Sequence, residues 1–156
     1  MSLLFYQTRI GLHGKPFTLV KFRTMPEGTT THRETDCTRL GKWLRRWSLD
    51  ELPQLWNILH GEMALIGPRP MLPAQAAQLV GWQRERFLVK PGITGWAQIH
   101  GRNSIPWSRR IELDVWYVRH RTWRLDCWIL WRTLIVWWTQ EGLYGPKGVN
   151  DDAVVE

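Results

Sequence analysis

The sequence predicts an α+β fold: a small N-terminal β-hairpin, several short helices, and amphipathic Trp-rich helices suited to an interface. Two strand-like segments, Phe5 to Ile10 and Pro16 to Phe22, flank the glycine-bounded Gly11-Leu12-His13-Gly14, which is the pattern of a hairpin. Downstream, apolar residues recur at helical spacing in one short segment after another. The 12 tryptophans complete the case, since many lie with arginines in the later helices. An amphipathic ring beside a snorkelling cation suits a membrane–water boundary.

At 156 residues the chain makes one domain, long enough to bury about two-thirds of its unfolded surface. We place that domain at 1–141 and read 142–156 as a polar, acidic tail. A net charge of +7 calls for an anionic partner: phosphate, nucleotide, nucleic acid or an acidic lipid surface. Nucleic acid fits poorly, because the tryptophans sit beside aliphatic residues and do not interleave with a basic groove. Cys37 and Cys127 form no metal or disulfide pattern and read as reduced thiols. Met1 to Tyr6 is too short for a signal peptide and runs straight into strand-like sequence. The longest apolar run, Trp128 to Trp138, carries Arg132 and Thr133 and falls well short of the ~20 residues that span a bilayer.

Taken in order, Pro26 to Thr35 is polar and rich in Thr and Gly, hence a loop. Asp36 or Thr38 then caps a helix through Leu40, Trp43, Leu44 and Trp47, with Arg39, Lys42, Arg45 and Arg46 making it basic and amphipathic. Ser48 to Gly61 is the next helix, closed by Gly61, and Met63 to Ile66 is a brief apolar segment. Two prolines stiffen Gly67-Pro68-Arg69-Pro70 and limit where the Arg69 guanidinium can go. A helix is predicted over Pro73 to Phe87, then a Gly-rich turn at Pro91 to Gly95 leading into a strand at Trp96 to Ile99. Helices at Trp107 to Arg121 and Trp123 to about Gln140 complete the chain. Asp114 shares a helical face with Trp107, Ile111, Val115 and Val118, so it requires a cationic or hydrogen-bonding partner. It reads equally as a buried ion pair or a site residue.

The chemistry concentrates in Ser48 to Gly61, where Asp50 and Glu51 open the helix just after the basic run Lys42 to Arg46. Leu52, Leu55, Trp56 and Leu59 recur at helical spacing and are expected to be its buried face. Pro53 favours Asp50 as N-cap, which places the proline in the first turn. Ser48 with Glu51 is the competing start, a capping box. On spacing alone, Asp50 reads as a cap worth about 1 kcal/mol. The sharper reading makes it a nucleophile or base, with Glu51 a metal ligand. No phosphate-binding loop, nucleophile elbow or His-Glu-x-x-His pair is present, and His13, His32, His60, His100 and His120 are scattered.

Asp50-Glu51-Leu52-Pro53-Gln54-Leu55-Trp56-Asn57, Gly61 to Pro70 and Lys90 to Gln98 resemble signature blocks of the bacterial sugar transferases. These are the monotopic polyprenyl-phosphate phosphoglycosyl transferases. Lys21 to Met25 and Leu113 to Val118 are similar to further blocks of that family, in the same order, so the resemblance runs from about residue 5 to about residue 138.

The resemblance implies transfer of a sugar-1-phosphate from a nucleotide-diphosphate sugar, usually a UDP-sugar, to polyprenyl phosphate with release of UMP. Such a reaction is the first membrane step in building an exopolysaccharide, O-antigen or glycoconjugate. By the resemblance, Asp50 is the nucleophile that carries a covalent phosphosugar and Glu51 the Mg²⁺ ligand. Arg45, Arg69 and Asp114 are then substrate-binding residues. It also implies a cytoplasmic-face, monotopic or peripheral place at a bacterial inner membrane. Family members begin with a helix-break-helix membrane element, and this sequence starts past its end. The expectation is therefore a catalytic domain whose membrane element is lost, encoded upstream or supplied by another chain. The alternative is a catalytically idle membrane-surface module.

Overall fold

A computed structural model describes residues 2–26, 37–101 and 104–139. The fold is α+β, as the sequence predicts. Strands β1 (Leu4–Ile10) and β2 (Pro16–Phe22) form the antiparallel hairpin, in register from Leu4 opposite Phe22 to Ile10 opposite Pro16. Helix α1 (Arg39–Arg46) follows, capped by Thr38, whose hydroxyl accepts from the Gly41 N–H at 2.9 Å. The loop predicted at Pro26 to Thr35 falls, from residue 27 on, outside the described residues, as do Asp36 and the tail 142–156.

A 3₁₀ turn at Leu49–Glu51 leads to α2 (Gln54–Leu59) and strand β3 (Ala64–Ile66). Strand β4 (Gly92–Thr94) pairs with β3 in parallel, Ala64 opposite Gly92 and Ile66 opposite Thr94. The predicted turn at Pro91 to Gly95 is thus largely a strand. Parallel partners need a crossover, and here it is α3 (Pro73–Ala77) and a 3₁₀ segment (Gly81–Leu88). The single helix expected over Pro73 to Phe87 is therefore broken, because Val80 is extended and Gly81 has φ +53°. β3 and β4 pass so closely that a Cβ on Gly67 would stand 2.3 Å from the Lys90 carbonyl oxygen.

The segment Trp96–Ile99 is helix α4, not the strand expected. Four apolar-rich residues carry too little periodicity to separate the two. Ile99 N–H reaches back to the Gly95 carbonyl at 3.2 Å, which settles the turn as helical. Helices α5 (Trp107–His120) and α6 (Trp123–Thr139) follow as predicted.

α5 joins two apolar clusters. Its Ile111 and Val115 pack with Met71, Ala76, Leu79 and Phe87, while Tyr117 packs with Ile99, Ile129 and Val136. Its predicted inner face holds, with Ile111, Asp114 and Val115 buried.

The inner face predicted for α2 does not hold. Leu52, Leu55, Trp56 and Leu59 are all exposed, Leu59 at 80 %, and the buried side chains are Gln54 and Asn57. Asn57 Oδ1 accepts from the Val20 N–H at 3.2 Å and Nδ2 donates to the Thr18 carbonyl at 2.7 Å. The side-chain amide thus pairs with β2 as a neighbouring peptide would. Two backbone groups of a strand need polar partners more than the strand needs another leucine, so α2 turns its polar side inward.

Candidate active site

The acidic pair sits at a strained turn. Trp47 ends α1, Ser48 adopts the left-handed φ 51°, ψ 22°, and Leu49–Glu51 form the 3₁₀ turn. A non-glycine residue held there costs about 1 kcal/mol or more. Neither Ser48 nor Asp50 caps α2, which starts after Pro53, and neither turn nor helix has a side-chain cap. Both starts offered by the sequence are corrected in this way. Pro53 has no role inside the helix because it precedes the first helical residue. The cap reading of Asp50 falls with them.

What surrounds Asp50 is charge. Burial is the main cause that raises its carboxyl above the ordinary range, and the Glu51 charge adds to it; Lys21, Arg45 and Arg69 pull the other way. Desolvation and a like charge thus favour the protonated carboxyl, and three cations oppose them in part.

Each cation comes from a different element. Lys21 lies on β2. Arg45 lies in the last turn of α1, and its Nε donates to Thr24 Oγ1 at 2.9 Å. Thr24 is brought to α1 because Gly41 has no side chain: a Cβ there would stand 2.1 Å from the Thr24 carbonyl oxygen. Arg45 Nη1 is buried without a hydrogen-bond partner. A buried guanidinium N–H without a partner calls for an acceptor.

Arg69 is fixed by its backbone. The Pro68 carbonyl accepts from Gly92 N–H at 2.9 Å, Arg69 from Arg86 Nη2 at 2.8 Å, Pro70 from Arg9 Nη1 at 3.1 Å, and Met71 from Ile10 N–H at 2.9 Å. Four successive carbonyls are held, which restrains the turn. From it Arg69 Nη2 reaches Glu51 Oε1 at 2.8 Å. The guanidinium is thus directed at Glu51, with part of the side chain still open to solvent.

Asp114 stands behind this turn. Its Oδ2 meets Arg86 Nη2 at 2.7 Å, and both side chains are buried. Burial raises its carboxyl to about 6, opposed by Arg86 and then Arg110. Asp114 thus takes the buried ion-pair reading, and its link to the acidic pair runs through Arg86 and the Arg69 carbonyl. The structure therefore brings Asp50, Glu51, Arg45 and Arg69 together and leaves Asp114 one layer back. Sequence reasoning passed over Lys21, Thr24, Arg9 and Arg86 as site residues. For Lys21 and Thr24 a signal existed, since both lie in the Lys21 to Met25 block.

The family model described as bacterial sugar transferase matches residues 1–140. The chain belongs to the bacterial sugar transferase family. It is 48 % identical over 153 residues to the uncharacterized sugar transferase EpsL of Bacillus subtilis, covering 95 % of this chain and 76 % of EpsL. It is 40 % identical over 153 residues to an undecaprenyl-phosphate glucose phosphotransferase of Komagataeibacter xylinus, covering 85 % of this chain and 28 % of that protein. A UDP-glucose:undecaprenyl-phosphate glucose-1-phosphate transferase of Escherichia coli is 38 % identical over 157 residues, covering 91 % and 34 %. The sugar transferase chain thus spans about three quarters of EpsL and about a third of the latter two relatives.

Proposed function

We propose that this chain transfers a sugar-1-phosphate from a UDP-sugar to polyprenyl phosphate, with Asp50 as the nucleophile. The observation that carries the reading is the setting of Asp50, a half-buried carboxylate beside Glu51 with Lys21, Arg45 and Arg69 around it. An ionised oxygen stripped of water is a strong nucleophile, and the cations match the charge of a diphosphate. Relatives named for undecaprenyl-phosphate sugar transfer support the substrate class.

An Asp50 oxygen attacks the phosphorus that bears the sugar. The bond from that phosphorus to the bridging oxygen breaks, and UMP leaves with the electron pair. A phosphate oxygen of the lipid then attacks the same phosphorus, the Asp50–phosphorus bond breaks, and the carboxylate is restored. Arg45, through its open Nη1, and Arg69 hold phosphate oxygens during both displacements.

Mg²⁺ fits this donor set. Asp50 and Glu51 are adjacent hard oxygen donors whose mutual repulsion a cation relieves. Among the described residues no group of three or more His, Cys, Asp or Glu gathers. Substrate phosphates and water would complete the shell, as Mg²⁺ prefers. Bound by Glu51, the ion supplies neutralisation of the diphosphate charge.

We place the reaction at the cytoplasmic face of a membrane. The outward apolar side of α2 and the exposed Trp131, Leu134 and Trp138 of α6 suit an acyl boundary. No described helix is long and apolar enough to cross one. The test is UMP release with Mg²⁺, polyprenyl phosphate and a panel of UDP-sugars. Release by the wild type and its loss in Asp50→Asn support the reading. Turnover that survives in Asp50→Asn sinks it.

A further inference from the structure

The C-terminal half of α6 reaches the turn that presents the acidic pair. Trp137 Nε1 donates to the Trp47 carbonyl oxygen at 2.7 Å, across 90 positions of sequence. The two indoles also meet, their centroids 5.2 Å apart and their planes tilted by 58°. Helices end with carbonyls that have no partner inside the helix. At the end of α1, the carbonyls of Trp43 and Arg45 accept from the N–H groups of Trp47 and Ser48. The Trp47 carbonyl is met from α6 instead. Ser48 takes its left-handed conformation immediately afterwards, and Asp50 follows two residues on.

We propose that Trp137 is a positioning residue for Asp50. Its indole N–H fixes the peptide plane between Trp47 and Ser48. That plane sets the direction of the left-handed turn, and the turn sets where Asp50 stands among Lys21, Arg45 and Arg69. Burial does not do this work, since Trp137 is 37 % exposed and its neighbour Trp138 74 %. The directional element is the hydrogen bond. This inference rests on the reading of Asp50 as nucleophile.

The test separates the bond from the packing. Trp137 is replaced by 3-benzothienylalanine, which keeps the shape of the indole and lacks its N–H, alongside Trp137→Phe and the control Trp82→Phe, at an exposed tryptophan of the 3₁₀ segment Gly81–Leu88. The analogue is expected to lower kcat about ten- to a hundredfold, the scale of a small misplacement of a reacting group. The KM for the UDP-sugar and the Tm stay at wild-type values, and Trp82→Phe turns over normally. Amide exchange across 47–52 quickens in the analogue while the hairpin keeps its protection. An analogue with wild-type kcat, or with unchanged exchange across 47–52, overturns the role of Trp137. A wild type that releases no UMP with any donor sinks the reading of Asp50, and the exchange measurement still decides whether Trp137 holds the turn.

Discussion

Glu51 Oε1 and Arg69 Nη2 stand 2.8 Å apart, a contact between the turn that follows α1 and the proline-framed turn that follows β3. Glu51 is 8 % exposed, so the pair is held away from much of the screening that makes surface ion pairs weak. It also brings one of the three cations to Asp50. Position and charge are therefore set by the same bond.

Replacing Arg69 should affect both. Arg69→Lys keeps a cation but loses the planar fork, and kcat/KM is expected to fall about tenfold or more. Arg69→Met removes the charge, with a loss of about 10²–10³ in kcat/KM. It should also cost about 1–3 kcal/mol of stability, because a buried carboxylate loses a strong partner. Urea unfolding and initial rates read the two effects apart. An Arg69→Met variant as active as wild type would remove Arg69 from the site.

The pH dependence follows from the setting of Asp50. Attack requires the carboxylate, and burial, with Glu51 second, keeps its proton on to a higher pH than the ordinary 3.8. The acid limb of kcat/KM is expected above that value. Lys21→Met or Arg45→Met removes a stabilising cation and should move the limb further up. The sign for stability is the reverse of the usual salt-bridged aspartate. The native state here holds the proton to higher pH than the unfolded chain, so stability falls as pH rises from 3.8 through the native value. Above that, the penalty is fully present. Asp50→Asn should then stabilise the fold at neutral pH by about 1 kcal/mol while abolishing turnover. The gain in Tm should shrink in acid.

Behind Arg69, the Asp114–Arg86 pair separates stability from positioning. Asp114→Asn leaves a buried guanidinium without its carboxylate and should cost about 3–5 kcal/mol. Because burial lifts the Asp114 carboxyl to about 6, its penalty for ionising grows as pH rises from 3.8 to about 6. Asp114→Asn should remove that slope. Arg86→Met with Asp114→Leu removes both charges, and most of the lost stability should return. Activity should not return with it, since the Arg69 carbonyl has lost its Arg86 donor at 2.8 Å. A double variant with both restored would show that the pair only fills the core.

The hairpin, α1, α5 and α6 were legible because each carries a local signal: a glycine-bounded turn, a threonine cap, a long apolar period. The acidic pair and Arg69 were legible from motif and charge. Arg9 and Arg86 were not, because their task is to hold the Pro70 and Arg69 carbonyls, at sequence separations of 61 and 17. Backbone groups carry no mark in a sequence of side chains. The face of α2 was misread for a related reason. Periodicity identifies the apolar side of a helix, and the inner side is a separate question, decided here by Asn57 and the edge of β2. Replacing Asn57 by leucine, which extends the apolar pattern, should therefore destabilise the fold. With a donor at Val20 and an acceptor at Thr18 left unmet, about 2–4 kcal/mol is expected in urea unfolding.

The outward face of α2 gives the converse result. Leu55, Trp56 and Leu59 are 45 %, 60 % and 80 % exposed, so charged replacements there remove little packing. Leu55→Glu and Leu59→Glu should alter stability by no more than about 0.5 kcal/mol. If this face rests against acyl chains, each loses apolar contact and adds repulsion from an anionic surface. Co-sedimentation with vesicles containing anionic lipid should then fall steeply for Leu55→Glu together with Leu59→Glu, while Tm holds. UMP release from a soluble lipid-phosphate acceptor should persist, because both side chains are exposed and neither belongs to the set around Asp50. Vesicle binding unchanged in the double variant would take α2 out of the membrane surface and leave α6 to provide it. A collapse of Tm would instead mean that the face is covered in the native protein. The pair of readouts assigns this helix its partner without relying on activity.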